Sequence, residues 1–181
     1  MATPVGTQAL YDYGSVGNGS SQHLAGALFE QMTGAQMQHV PYRITSQMQT
    51  DMMSGTMPVS FQLLPNVLGN IKAGHLKALA VASKQRLPAI PDVPTSAEAG
   101  LKGFESAAWF GFLAPKGTPK TAIDRLSREI AAAIADPAVC GRFTEFGAEP
   151  IASTPEEFAR YISSEVVKWR EIITKGNITL E

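Results

Sequence analysis

A chain of 181 residues, 44% hydrophobic and 17% charged, is long enough to bury a core as one domain or as two small lobes. Its 15 basic and 16 acidic side chains give a formal net charge of -1 and are scattered along the chain, which excludes the basic footprint needed for nucleic acid or an anionic membrane surface. Cys140 is the only cysteine, so an internal disulfide is excluded and a structural zinc would need other ligands. No apolar run approaches the roughly 18 residues of a membrane span, and residues 1–10 lack the basic and apolar regions of a signal peptide.

Residues 8–13 read as a short lead-in strand, followed by a loop rich in glycine and serine. Apolar residues at helical spacing (Leu24, Ala25, Leu28, Phe29, Met32) then predict a helix over residues 21–33, with Gly34 as its stop. Residues 36–42 read as a strand, 45–54 as a second helix closed by Gly55, 59–61 as a short strand, and 64–73 as a helix ended by Gly74. Six of the seven methionines fall between Met32 and Met57, where helical spacing favours core packing over a methionine-lined binding face. Residues 76–81 predict another strand, and a proline-rich connection with a short helix at 96–99 follows. The nearly continuous apolar run of residues 104–114 predicts a strand buried on both faces.

The last third is helical by pattern. Thr118 and Pro119 are expected to cap and open a helix to about residue 135, and a shorter one follows over 137–146. Thr154-Pro155-Glu156-Glu157 is a capping box opening a helix to about residue 175. Phe158, Tyr161, Ile162, Val166, Trp169 and Ile173 form an apolar stripe on it, and few strands are present to cover that stripe. Cys140 falls inside the 137–146 pattern, where a structural thiol is expected rather than a nucleophile.

The chemistry concentrates in Tyr13-Gly14-Ser15-Val16-Gly17-Asn18-Gly19-Ser20-Ser21-Gln22-His23. Gly14, Gly17 and Gly19 permit positive φ and close approach of the backbone. Ser15, Ser20, Ser21 and Asn18 add polar side chains, and the helix that follows leaves its first N–H groups unpaired and partly positive. An anion fits there, although Ser20 or Ser21 could equally be an ordinary N-cap. The spacing is G-x-x-G-x-G with no following Lys-Ser/Thr, which matches neither common phosphate loop and favours a small carboxylate over a nucleotide. A hydrolase using Ser20 or Ser21 with His23 or His39 lacks the G-x-S-x-G elbow. His23, His39 and His75 show no metal-ligand spacing.

Several motifs together carry a resemblance: the loop with His23-Leu24-Ala25-Gly26, His39-Val40-Pro41-Tyr42, Ile71-Lys72-Ala73-Gly74-His75-Leu76-Lys77-Ala78-Leu79-Ala80-Val81, Pro91-Asp92-Val93-Pro94-Thr95, Trp109-Phe110-Gly111-Phe112-Leu113-Ala114-Pro115 and Gly147-Ala148-Glu149-Pro150. In order and spacing they resemble the substrate-binding proteins of tripartite tricarboxylate transporters, the Bug family. The resemblance implies an α/β fold with a periplasmic-binding-protein type II-like lobe, periplasmic location, no enzymatic reaction and no cofactor. The implied partners are a small organic acid, such as a di- or tricarboxylate, and membrane transporter subunits. It further implies that residues 8–109 form the second ligand-binding lobe, and that 110–181 supply a crossover strand and helices of a first lobe whose earlier half has no counterpart here. The family's carboxylate loop falls on Ser15, Val16, Gly17, Asn18, Gly19, Ser20 and Ser21, with His23 one turn into the helix. Arg43 stands after Tyr42 where the family usually has Lys-Gly, and Gln62 stands where it usually has Asp. Tyr42, Arg43 and Gln62 are therefore the expected specificity positions. The apolar stripe also admits an interaction module that self-associates through its C-terminal helices.

Overall fold

The computed structural model describes residues 11–179. Residues 8–10 of the expected lead-in strand lie outside it, and the described strand β1 is Tyr11–Ser15. Helix α1 (Ser21–Thr33) follows, then β2 (Met37–Pro41), α2 (Thr45–Ser54), β3 (Val59–Ser60) and α3 (Leu64–Lys72). The three strands form a parallel sheet in the order β2-β1-β3. The three remaining helices are α4 (Lys120–Ala135), α5 (Pro137–Glu145) and α6 (Pro155–Lys175). None of the described helices is long and apolar enough to cross a membrane.

Alternation along β1 decides what each face of the sheet meets. Tyr13 and Ser15 share one face, and the Tyr13 ring lies where a Cβ on Gly26 of α1 would come within 2.2 Å of it, so α1 approaches over a glycine. Gly14 points to the other face, where a Cβ would meet the Met48 sulfur at 3.1 Å and Met57 at 3.3 Å. Tyr13, Met48 and Met57 are all buried, and burial of each such side chain contributes about 1.5–3 kcal/mol. Met48 and Met57 are thus core residues, whereas Met32 and Met53 are exposed. Phe29, Phe61, Phe104 and Tyr13 form a chain of ring contacts on the α1 side, with centroids 5.7–6.1 Å apart. A second cluster of Leu68, Val81 and Ile90 packs α3 against the proline-rich connection.

Helix ends follow the expected chemistry in most places. Gly34 and Gly55 take left-handed φ values of 71° and 80° and stop α1 and α2. Thr154 and Glu157 form the capping box of α6. At α4 the cap differs from expectation: Pro119 is the N-cap without a side-chain bond, because the Thr118 hydroxyl donates backward to the Pro115 carbonyl.

Three further expectations are corrected. Residues 76–81 form no strand among the described residues; only Val81 bridges Thr95, each having its partner through Val81 N–H to Pro94 O and Ser96 N–H to Val81 O. Residues 96–99 make a turn instead of a helix, since Gly100 at φ 103° breaks the helical course after one bond. Residues 104–114 are not a buried strand: Phe110, Phe112 and Leu113 are 90%, 80% and 78% exposed. Trp109 meets Phe158 and Tyr161 edge-on and is itself 39% exposed. Cys140 is half-buried and free.

Candidate functional site

The order β2-β1-β3 places a topological switch at β1–β3: the chain leaving β1 crosses to β2 on one flank, while β3 lies on the other. In open α/β sheets ligands bind outside the carboxyl ends of strands at such a point. The segments leaving those ends are the loop 16–20 and Phe61-Gln62-Leu63.

Within the loop, Gly17 and Gly19 take φ values of 128° and 72°, the conformations that require glycine. Gly14 contributes space for Met48 instead of a positive φ. Four of the loop's N–H groups are consumed internally. Val16 N–H donates to Gln22 Oε1 (2.8 Å), Gly17 N–H to Ser15 Oγ (3.1 Å), Gly19 N–H to His23 Nδ1 (3.1 Å) and Ser20 N–H to the Gly17 carbonyl (3.2 Å). Ser20 is the N-cap of α1, its hydroxyl oxygen accepting from His23 N–H at 3.2 Å. Among the described residues, the N–H groups of Asn18, Ser21 and Gln22 find no protein acceptor. They stand at the partly positive end of a 13-residue helix.

Gln22 was not singled out by sequence and proves central. It is 3% exposed, holds Val16 N–H through its carbonyl and donates to Gln62 Oε1 at 3.0 Å. Gln62 in turn donates to Ser60 Oγ, whose own hydroxyl donates to the Gly14 carbonyl at 2.8 Å. Two uncharged glutamines therefore tie the loop to the end of β3 across the switch point. The only sequence signal was a polar residue in the first turn of α1, which reads as solvent-facing until the β3 end is placed beside it.

The sheet register also brings two histidines together. His39 pairs with Tyr13 across β1 and β2, so it shares the α1 face with Tyr13 and Ser15 and meets His23. The two imidazoles stack at 3.7 Å between centroids with planes 8° apart. His39 Nε2 lies 2.6 Å from Ser15 Oγ. Burial, and then the neighbouring His23, push the His39 imidazole down to about 4; burial lowers His23 as well. Burial raises the Tyr13 phenol, with the Glu30 charge adding to it.

A recess of about 380 Å³ opens at the start of α1, lined by Ser21, Leu24, Leu63, Ala108, Trp109 and Trp169 among others. The sequence model of the tripartite tricarboxylate transporter family receptors matches residues 8–178. The chain belongs to this family. It is a family of receptors, not of enzymes. The chain is 38% identical over 164 residues to the Pseudomonas sp. "UPF0065 protein in tcbD-tcbE intergenic region", covering 90% of this chain and 49% of that protein. It is 34% identical to protein BugT of Bordetella pertussis, covering 90% and 50% respectively. It thus spans about half the length of these curated relatives. Among solved structures it resembles Rhodopseudomonas palustris Rpa4515 with adipate (32% identity, TM-score 0.83, 93% of this chain and 56% of that one). It also resembles the periplasmic binding protein BugD (32%, TM-score 0.80, 94% and 58%). MatC from R. palustris with bound malate is similar at 27% identity and TM-score 0.74, over 90% and 56%.

In this member of the family the residues singled out by sequence fall into three groups. Asn18, Ser20, Ser21 and exposed Val16 sit at or beside the helix start. Ser15 is fully buried and braces the loop from beneath, and His23 lines a separate groove with His39. The Tyr42 hydroxyl donates to Asp51 Oδ2 at 2.9 Å, while its N–H holds the Ser15 carbonyl at 2.8 Å. Burial and that carboxylate raise its phenol. Arg43 is exposed and makes no ion pair among the described residues. No group of three or more His, Cys, Asp or Glu among the described residues is placed to hold a metal.

Proposed function

We propose that this chain is the ligand-closing part of a periplasmic solute receptor, and that the start of α1 forms one wall of a cleft for a small organic carboxylate. The observation that carries this reading is the recess at the switch point, which Ser21 lines beside a helix start whose Ser21 and Gln22 N–H groups find no protein acceptor among the described residues. Asn18 can add a further donor. The names of two similar structures, one with adipate and one with malate, support a carboxylate as the ligand class. Ser15, Val16, Gly17, Gly19, Ser20 and His23 shape the loop, while Tyr42, Arg43 and Gln62 set what lies beyond the first carboxylate. Arg43 is the residue best suited to a second carboxylate, through a charge-assisted bond. Residues 8–109 then act as one lobe and 110–181 as the return to a second, moving as hinged bodies about the Trp109 region. Membrane subunits of the transporter are the proposed partners.

Calorimetry with a panel of di- and tricarboxylates, including adipate and malate, tests this. The panel is applied to the chain itself and to a chimera carrying the preceding half of the R. palustris protein. Binding by either form, lost on replacing Ser21 with a bulky residue such as Leu, supports the reading. No binding in either form overturns it. A second reading rests on the exposed apolar surface of Phe110, Phe112, Leu113, Val166 and Val167: a patch of this kind marks an interface, here between copies of the chain. A monomer at all concentrations in size-exclusion chromatography would count against it.

A further inference from the structure

The stacked histidines have no part in the recess at the α1 start, yet each grips the loop that forms it. We propose that His23 and His39 are a proton-operated latch on that loop: with both rings neutral the loop is held ready for a carboxylate, and a proton on His23 frees Gly19 and weakens carboxylate binding. The consequence for binding rests on the solute-receptor reading above; the latch itself does not.

The geometry sets the protonation states. Gly19 N–H points at His23 Nδ1 from 3.1 Å, and an N–H needs a lone pair, so Nδ1 is bare and the ring proton sits on Nε2. A second proton would put donor against donor, and Gly19 would lose its acceptor. At the other end of the loop His39 Nε2 lies 2.6 Å from Ser15 Oγ, the atom that accepts Gly17 N–H. The rings are parallel at 3.7 Å, so a charge on one opposes a charge on the other. His39, held down to about 4 by burial and by His23, is the harder of the two to protonate. His23 therefore takes the first proton, and it is His23 that holds Gly19.

The surroundings leave this pair in control. They line an open groove of about 330 Å³ with Tyr13 from β1, and Ala27, Glu30 and Gln31 from α1. The Tyr13 phenol is raised and stays neutral. Glu30 is the one charged side chain lining the groove among the described residues, and its Oε1 already accepts Met37 N–H at 2.8 Å. Gly176 and Ile178, beyond α6, contribute no titratable group. Both imidazoles lie below the ordinary histidine value of about 6.5 while latched and return toward it when released. The released form thus binds more protons. The latch is complete above about pH 6.5 and is lost as the pH falls through the lowered His23 range, with His39, held down to about 4, protonating after it.

The test is a titration of the full ¹⁵N-labelled chain by NMR from pH 8 to pH 4, following the three imidazoles and the Gly17 and Gly19 amides. The expected result is a neutral Nε2–H tautomer for His23 at pH 8, with the Gly19 amide shifting and losing exchange protection in step with His23. His39→Asn, which keeps a polar partner for Ser15 but uncovers one face of the His23 ring, relieves part of the burial that holds His23 down, so the His23 midpoint rises and carries the Gly19 transition with it. A Gly19 amide that stays unmoved while His23 titrates overturns the latch, in the wild-type chain alone if the variant does not fold. Adipate binding is measured at pH 7.5 and 5.5 on wild type and His39→Asn, compared at equal pH so that the protonation of adipate itself cancels. A variant that loses more affinity than wild type between pH 7.5 and pH 5.5 supports the proposal. Coupled titration with no acid of the panel bound at pH 7.5 by either the chain or the chimera retains the latch and overturns the carboxylate reading; unchanged relative affinity with an unmoved Gly19 does the reverse.

Discussion

The two halves of this molecule solve the burial problem differently. In the sheet half, β1 meets α1 through a glycine against a ring and meets α2 through a glycine against a thioether, and four of the loop's N–H groups are paired within the half itself. In the half after residue 109, helices with strong apolar stripes leave Phe110, Phe112, Leu113, Ile151 and Val167 open to solvent. Helix α6 meets the sheet half through buried Ile172, whose carbonyl accepts from Gln31 at 2.9 Å, through Lys168 Nζ donating to the Glu105 carbonyl at 2.8 Å, and through Phe158 and Tyr161 against Trp109. The difference teaches that side-chain pattern and side-chain burial are separate properties: the same kind of apolar residue is core in one half and unpartnered surface in the other.

The largest expected effect opposes two truncations. Met48→Ala removes a fully buried side chain between β1 and α2 and should cost about 2–5 kcal/mol. Phe112→Ala, at an exposed position, should change stability by less than about 0.5 kcal/mol. Urea unfolding of both variants checks the contrast, and equal losses would break it. Next come two glycines that each face a ring. Gly26→Ala drives a methyl into the buried Tyr13 ring and should cost about 1–3 kcal/mol. Gly111→Ala meets only the far edge of the half-exposed Phe158 ring, which can swing away, so its melting temperature should fall far less.

Gln22→Leu tests the polar side of the comparison. It leaves Val16 N–H and the Gln62 carbonyl without their protein partner and should destabilise by about 1–2 kcal/mol. The Val16 amide should exchange faster with solvent, and a protected Val16 in the variant would show that water or another group replaces Gln22. The smallest effect belongs to Thr154→Ala, which removes the hydroxyl that accepts Glu157 N–H in the α6 capping box and leaves the backbone N–H of residue 154 to donate to Glu157. About 1 kcal/mol is expected, seen as fraying of the first turn by circular dichroism, because α6 is mostly exposed and its start depends on local bonds.

Much of the architecture was legible because its signals are local. Stop glycines, N-cap residues and helical spacing are read within a few residues, which is why α1, α2, α5 and α6 lie close to their expected positions. The strand expected at 104–114 was not legible in the same way. A run of Trp109, Phe110, Phe112 and Leu113 looks identical whether two layers cover it or one does, since coverage comes from distant chain. The loop was recognisable as a helix start that can hold an anion, but which donors remain unspent was not. That depends on Gln22 finding Gln62 forty residues away and on His23 finding His39.

Taken alone, the sequence determined the family, the order of the elements from β1 to α3 and of the three last helices, and the place of the glycine loop, because each rests on short-range chemistry repeated in order along the chain. Only the tertiary structure decided how the loop is held. The parallel register sets His39 opposite Tyr13 and so beneath His23, and the β2-β1-β3 order sets Gln62 beside Gln22. Register and strand order are properties of packed sheets, in which a shift by one residue would turn His39 to the other face. No window of sequence contains them.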